Sequence, residues 1–349
     1  MILGIGDLHF SEYSSIDRRR GLSKYSKREE SLINTLNWIE ETAEQRKVEK
    51  VVFFGDFFDK TELNASELTA LQEVQWSSIP HIFIVGNHEG LTNDLSISSA
   101  HLLSLIPNAQ VIDKPFIEYG ENYHILYLPY ILEQDRKPLA KYFDSVMVEE
   151  LGDFNRIVFS HNDIKMRYGI YESTIGFDPQ EIDTCCNLFL NAHIHNCGPI
   201  SEVGYNIGNI TGANFSEDAF EYGHFAYLID PASASYTCIE NPYALNFYKA
   251  ELRTLAQAEH FLSRLKDNAI ISLKVPQTIV SEVKMKISEC PKVKESRVIS
   301  IIETGGNENE SEDMAVLETV NHLDEFVKFI QAALDYSDLV KEELAEVCK

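Results

Sequence analysis

Val51-Val52-Phe53-Phe54-Gly55-Asp56-Phe57-Phe58-Asp59 is the stretch that decides the fold. Four apolar β-formers in a row read as a strand buried on both faces, as in a parallel sheet covered on both sides. A glycine ends the run, and two carboxylates follow within four residues. The same pattern recurs along the chain. Residues 2–6 lead into Asp7 and His9, 81–85 into Asn87, His88 and Glu89, 156–160 into His161 and Asn162, and 188–192 into His193 and His195. Residues 123–128 read as another strand, and 223–230 as strand-like.

Helical patterns alternate with these runs. Between residues 26 and 45, Leu32, Ile33, Leu36, Ile39 and Ala43 fall at helical spacing, and a second helix starts with Asn64 or Ser66 as N-cap. Strand, helix, strand, helix, strand predicts an α/β fold. In such folds ligand sites form in the loops beyond the carboxyl ends of the strands, where every ionisable group named above falls.

Composition sets limits. The chain has 349 residues, with 55 acidic against 30 basic side chains and a net charge of −25. That balance, taken alone, opposes nucleic-acid binding, which draws on Lys and Arg to neutralise phosphates. Bound cations and a local basic patch are the two ways around it. Residues 18–28 hold six cations, Arg18, Arg19, Arg20, Lys24, Lys27 and Arg28, beside the first ionisable motif. They read either as a solvated helix entry or as a contact to a DNA backbone. No run reaches the roughly 20 apolar residues that span a bilayer, and residues 1–6 lack a basic leader. Six cysteines without paired spacing predict reduced thiols and a cytoplasmic setting.

Five of the eleven histidines lie in these segments, each just past a buried strand. Asp, Asn and His converging on one crevice need a cation to balance them. Carboxylate, amide-oxygen and imidazole ligands without thiolate suit Mn²⁺, Fe²⁺ or Zn²⁺. Asp7 and Asp56 offer two oxygens each, enough for a carboxylate to bridge two ions, and a metal pair about 3.5–4 Å apart clamps a phosphate and activates water.

In that order, Asp-x-His, Gly-Asp-x-x-Asp, Gly-Asn-His-Glu, a lone His and a terminal His-x-His resemble the calcineurin-like metallophosphoesterases over roughly residues 1–230. The resemblance implies two facing β-sheets flanked by helices. It implies that Asp7, His9 and His195 hold one metal, that Asn87, His161 and His193 hold the other, and that Asp56 bridges them. His88 would contact the scissile phosphate and help the leaving oxygen, with Asp59 orienting its imidazole. The family usually carries Gly where this chain has Ala192, so the backbone beside His193 is a point of departure.

Within that family, phosphoprotein phosphatases follow the second carboxylate with Arg-Gly, whereas Lys60-Thr61 stands here. Other features resemble the SbcD-type nucleases of double-strand-break processing: the basic run, Pro129-Tyr130, and Gly212-Ala-Asn-Phe-Ser-Glu217. That resemblance implies an exonuclease and endonuclease with two divalent ions, Mn²⁺ first and Mg²⁺ second, acting on DNA as a homodimer. A phosphodiesterase or phosphatase of small nucleotides and a non-catalytic scaffold are the alternatives. The expected domains are the nuclease domain at 1–245, a small α/β capping domain at 246–303, an acidic linker at 304–315, and a helical tail at 316–349 that docks on an SMC-like ATPase. In the small unit the pattern marks a strand at 269–275, a helix at 278–288 and a strand at 296–302.

Overall fold

The computed structural model describes residues 1–12, 24–144, 154–168 and 171–301. Two six-stranded sheets face each other. The first takes β1 (Ile2–Ile5), β2 (Lys50–Phe53), β3 (His81–Ile84), β4 (Ala109–Ile112), β13 (Phe225–Asp230) and β14 (Ser235–Glu240), in the order β14-β13-β1-β2-β3-β4. The second takes β5 (Phe116–Tyr119), β6 (Tyr123–Leu128), β7 (Asn155–Ser160), β10 (Leu188–Asn191), β11 (Gly198–Pro199) and β12 (Gly204–Asn206), in the order β11-β12-β10-β7-β6-β5. A short ribbon, β8 (Arg167–Tyr168) with β9 (Tyr171–Glu172), stands apart from both. β1 to β4 run parallel, as do β6, β7, β10 and β12, so the loops after them open on one end.

Alternation along each strand divides the apolar side chains between two cores. Val52, Phe54, Ile82 and Ile84 point inward to Ile125, Tyr127, Ile157 and Phe159 of the opposite sheet. Val51, Phe53 and Phe83 point outward to Leu32, Leu36 and Ile39 of α1 (Lys27–Arg46) and to Ala70 of α2 (Ala65–Leu71). The second sheet is covered by α3 (Leu139–Asp144) and α4 (Pro179–Cys185), which supply Leu139, Tyr142, Phe143 and Ile182. Both helix starts are locally encoded. Ser26 and Glu29 form a capping box, as do Asn64 and Glu67, and each box satisfies amide groups that a helix N-terminus leaves free.

A three-stranded sheet of β15 (Asn246–Glu251), β16 (Ala269–Pro276) and β17 (Val293–Ile301) carries α5 (Leu255–Ser263) and α6 (Val280–Glu289) on one face. Tyr248, Leu262, Leu273, Val283 and Ile287 form a core of its own between them. The sequence pattern marks β16, α6 and β17 but passes over β15 and α5, and it also misses β4, β5 and β14. Those are short or exposed strands, in which half-burial blurs the apolar run. Met1–Val275 with Ile279–Ile299 make one compact unit that holds the two large sheets, the two helices of the small unit and most of its strands. The acidic linker and helical tail lie outside the described residues. No helix among the described residues is long and apolar enough to cross a membrane. Cys185, Cys186, Cys197, Cys238 and Cys290 are free thiols.

Candidate metal centre

The five motifs follow β1, β2, β3, β7 and β10 directly, so the parallel strands deliver them to the same end of the two sheets. Their backbones are held in uncommon conformations. His9, Asp56 and His193 take left-handed φ values of 50°, 45° and 80°. Each such residue costs on the order of 1–3 kcal/mol and persists where surrounding structure dictates it, often at functional sites. The glycines of two motifs have steric reasons. A Cβ on Gly55, itself at φ 107°, would lie 2.3 Å from His161 Nδ1, and one on Gly86 would lie 2.1 Å from Asp56 Oδ1. Ala192 needs no such freedom. The left-handed turn falls on His193 instead, and Ala192 packs in the core between the sheets.

Two groups of acceptors result. In the first, His9 Nε2 and His195 Nε2 stand 3.0 Å apart, with Asp7 alongside. His9 Nδ1 pairs with Asp59 Oδ1 at 3.1 Å and His195 Nδ1 with Glu217 Oε1 at 2.9 Å. Glu217 places the His195 proton on Nδ1, so the His195 Nε2 lone pair faces His9. His9 Nδ1 lies near Asp59 without a hydrogen bond, and His9 Nε2 donates to His195 when no cation is between them. Asp7 Oδ1 accepts from His193 N at 3.1 Å, whereas Asp7 Oδ2 is buried without a hydrogen-bond partner.

The second group gathers around Asn87. His161 Nδ1–H donates to the Phe54 carbonyl at 2.9 Å, which turns its Nε2 to Asp56 Oδ2 and Asn87 Oδ1, each at 3.1 Å. His193 Nε2 faces Asp163 Oδ1 at 3.1 Å, leaving Nδ1 against Asn87 Oδ1 at 2.8 Å.

Acceptors crowded on acceptors, with an orphaned buried carboxylate oxygen, repel one another unless a cation lies among them. Nitrogen and oxygen donors without sulfur fit divalent ions of the Mn²⁺, Fe²⁺ or Zn²⁺ kind. The electrostatics agree. Burial lowers the proton affinity of His161, but Asp56 and Asp7 outweigh it and push the imidazole up to about 9. Burial likewise works against ionised Asp56, yet His161, His9 and His88 hold its carboxyl far below the usual range. A divalent cation answers the same negative field that otherwise draws a proton onto His161.

His88 borders this centre with its side chain 43% exposed, its ring 4.8 Å from that of His9. Its main-chain N–H donates to Asp56 Oδ1 at 2.9 Å, and its Nδ1 faces the Asp59 carbonyl at 3.1 Å. The Asp59 carboxylate lies closer to His9 Nδ1, at 3.1 Å, than to His88 Nδ1, at 3.6 Å. Asp59 therefore serves both imidazoles, and it holds His88 chiefly through its main-chain oxygen. Glu89, buried, accepts from Gly86 N at 2.9 Å and Phe58 N at 3.0 Å and so ties the second motif to the third. Burial, followed by the nearby Asp56, pushes its carboxyl up to about 8.

Asp7, His9, Asp56, Asn87, His161, His193 and His195 are thus brought together, with His88 and Asp59 at the margin. The motif pattern assigns no role to Asp163 or Glu217, the carboxylates behind His193 and His195. Glu217 ends a segment singled out for another reason, and Asp163 directly follows a motif; neither spacing reveals the pairing. Tyr130 places its ring 5.5 Å from that of His193.

The basic run divides. Arg18, Arg19 and Arg20 lie outside the described residues. Lys24 is exposed and bonded to Glu73 at 2.5 Å, and Lys27 pairs with Glu295. Arg28 corrects the expectation of a DNA contact. Its side chain is buried, and the guanidinium donates to the carbonyls of Leu8, His9 and Gly212. A cation so enclosed braces the loop of the first motif and is not presented to a ligand.

Fold and site together define a metal-dependent hydrolase of phosphoesters. Residues 1–211 match the family model described as Calcineurin-like phosphoesterase, and the chain belongs to that family. No curated protein matches the chain.

Proposed function

We propose that this protein is a two-metal DNA nuclease, with exonuclease and endonuclease activity, and the catalytic subunit of an SbcCD-like complex. The ions would be Mn²⁺, or Mg²⁺ in its place, held by Asp7, His9 and His195 on one side and Asn87, His161 and His193 on the other, with Asp56 between. Bound there, they supply positive charge for the phosphoryl oxygens and acidify a water. The protein's own groups do the rest. Asp59 O and the main-chain bond of His88 to Asp56 fix the exposed imidazole, so Nε2 faces a phosphodiester seated at the centre. A water that has given up its proton to solvent would attack phosphorus in line, the opposite P–O bond would break, and His88 would donate a proton to the leaving oxygen.

One observation carries the choice of DNA. Phe215, Lys249, Ser272, Lys274 and Arg297 line a groove of about 400 Å³ on the open face of the small sheet. The three cations are exposed and have no ion-pair partner among the described residues, while Glu251 beside them bonds Arg253. Such a concentration in a chain of net charge −25 suits a phosphate backbone. The SMC-like ATPase partner, docked by residues 316–349, the homodimer and a cytoplasmic place of action belong to the same proposal.

The test is hydrolysis of labelled linear duplex DNA with Mn²⁺, beside bis-p-nitrophenyl phosphate and a His88→Ala control. Wild-type cleavage of DNA that the variant loses supports the nuclease. Cleavage of the small diester alone, with and without an ATPase partner, would leave a small-nucleotide phosphodiesterase.

A further inference from the structure

The carboxylate behind His195 belongs to a segment that the small α/β unit holds in place. Glu217 is buried, takes His195 Nδ1 at 2.9 Å on one oxygen, and accepts from Ala213 N at 3.0 Å on the other. Both ends of its loop are tied to the start of β15. Gly212 N donates to the Leu245 carbonyl at 3.0 Å, and Ala219 N to the Phe247 carbonyl at 3.1 Å. Three ring contacts reinforce these bonds: Phe215 on Phe247 at 5.2 Å, Phe220 on Tyr248 at 4.6 Å, and Phe220 on Phe261 of α5 at 5.6 Å. Nothing comparable stands behind His193 among the described residues. Its carboxylate, Asp163, lies just past β7 in the large sheet, and Arg136 approaches the other Asp163 oxygen at 3.6 Å.

We infer that Glu217 is a positioning residue for His195 and that, through it, the small α/β unit sets the divalent-metal affinity of one of the two positions. The physical route is short. A ligand imidazole binds best when its outer N–H is held by an acceptor, because the bond fixes both tautomer and ring orientation. Here the segment that carries the acceptor is held by the bonds of Gly212 and Ala219 to Leu245 and Phe247, with Arg28 on the Gly212 carbonyl. Loosening the small unit therefore frees the His195 ring and weakens the position shared with Asp7 and His9. The position of Asn87, His161 and His193 depends on Asp163 and is untouched.

Calorimetric titration of the full-length protein with Mn²⁺ tests this, with no catalytic readout needed. Glu217→Gln should weaken one site by about 10–100-fold and spare the other, and Asp163→Asn should show the reverse pattern. Phe220→Ala, at a ring 36% exposed, should weaken the Glu217-dependent site by several-fold while the metal-free protein keeps its fold by circular dichroism. Wild-type affinities in Glu217→Gln overturn the positioning role. An equal loss at both sites, or no loss, in Phe220→Ala overturns the link to the small unit.

Discussion

His9 and His195, 186 residues apart, present their Nε2 atoms to each other at 3.0 Å while Asp59 and Glu217 hold their Nδ1 atoms from behind. Two ring nitrogens turned to one another beside Asp7 make a donor set that suits a shared cation. The carboxylates on the far side of each ring show that the orientation is built and not incidental.

Asp56 and His88 should separate binding from turnover. Asp56→Ala removes the carboxylate that we propose bridges the two ions, and elemental analysis should find fewer than two ions per chain. His88→Ala should keep both ions and lose roughly 10²–10⁴-fold in turnover of the small diester, the usual span for a proton-transferring group. Two ions in Asp56→Ala would remove it from its bridging place.

Gly86→Ala should damage the site more than a surface glycine would, because the new Cβ would lie 2.1 Å from Asp56 Oδ1 and 2.4 Å from Asp56 N. Backbone that close cannot yield cheaply. Loss of bound metal, measured with the thermal midpoint, is the expected result. Full metal content with an unchanged midpoint would contradict it.

Glu40 pairs with His81 across the outer core at 2.8 Å and accepts from Ser77 N at 3.0 Å, both side chains nearly sealed from solvent. Burial opposes ionisation, but the bonds from His81 and Ser77 prevail and hold the Glu40 carboxyl below its ordinary value. A carboxyl lowered by folding contributes stability above its unfolded value and loses it as pH falls through the folded one. Glu40→Gln should therefore cost about 1–3 kcal/mol in urea unfolding near neutrality. That deficit should shrink in acid below the carboxylate range. A deficit that grows with acid would reverse the sign.

Lys249, Lys274 and Arg297 should control how DNA binding responds to salt. Replacing all three with Ala should flatten the plot of log affinity against log salt by about 3 in slope, about one for each phosphate that a cation no longer neutralises. Fluorescence anisotropy of a labelled oligonucleotide, with Ca²⁺ replacing Mn²⁺, reads it directly. An unchanged slope would empty the groove of its role while leaving the metal centre intact.

Much of the architecture is legible in sequence because its signals are local. The continuous apolar run of β10 marks a doubly covered strand, and Asn64 with Glu67 marks a helix start, without reference to anything distant. His-x-His and Gly-Asn-His-Glu carry their chemistry within four residues, and one end of a parallel sheet is where they had to meet. Tertiary structure alone decided what supports them. Arg28 stands in a basic run, and only the fold shows that the carbonyl of Gly212, 184 residues away, accepts its N–H. The motif order pairs Asp59 with His88, yet the loop geometry swings its carboxylate toward His9. Glu217 and Asp163 gain their roles from pairings across loops that no spacing encodes. Periodicity records which side of an element is dry, whereas the charge balance of a buried site depends on groups brought together from separate strands.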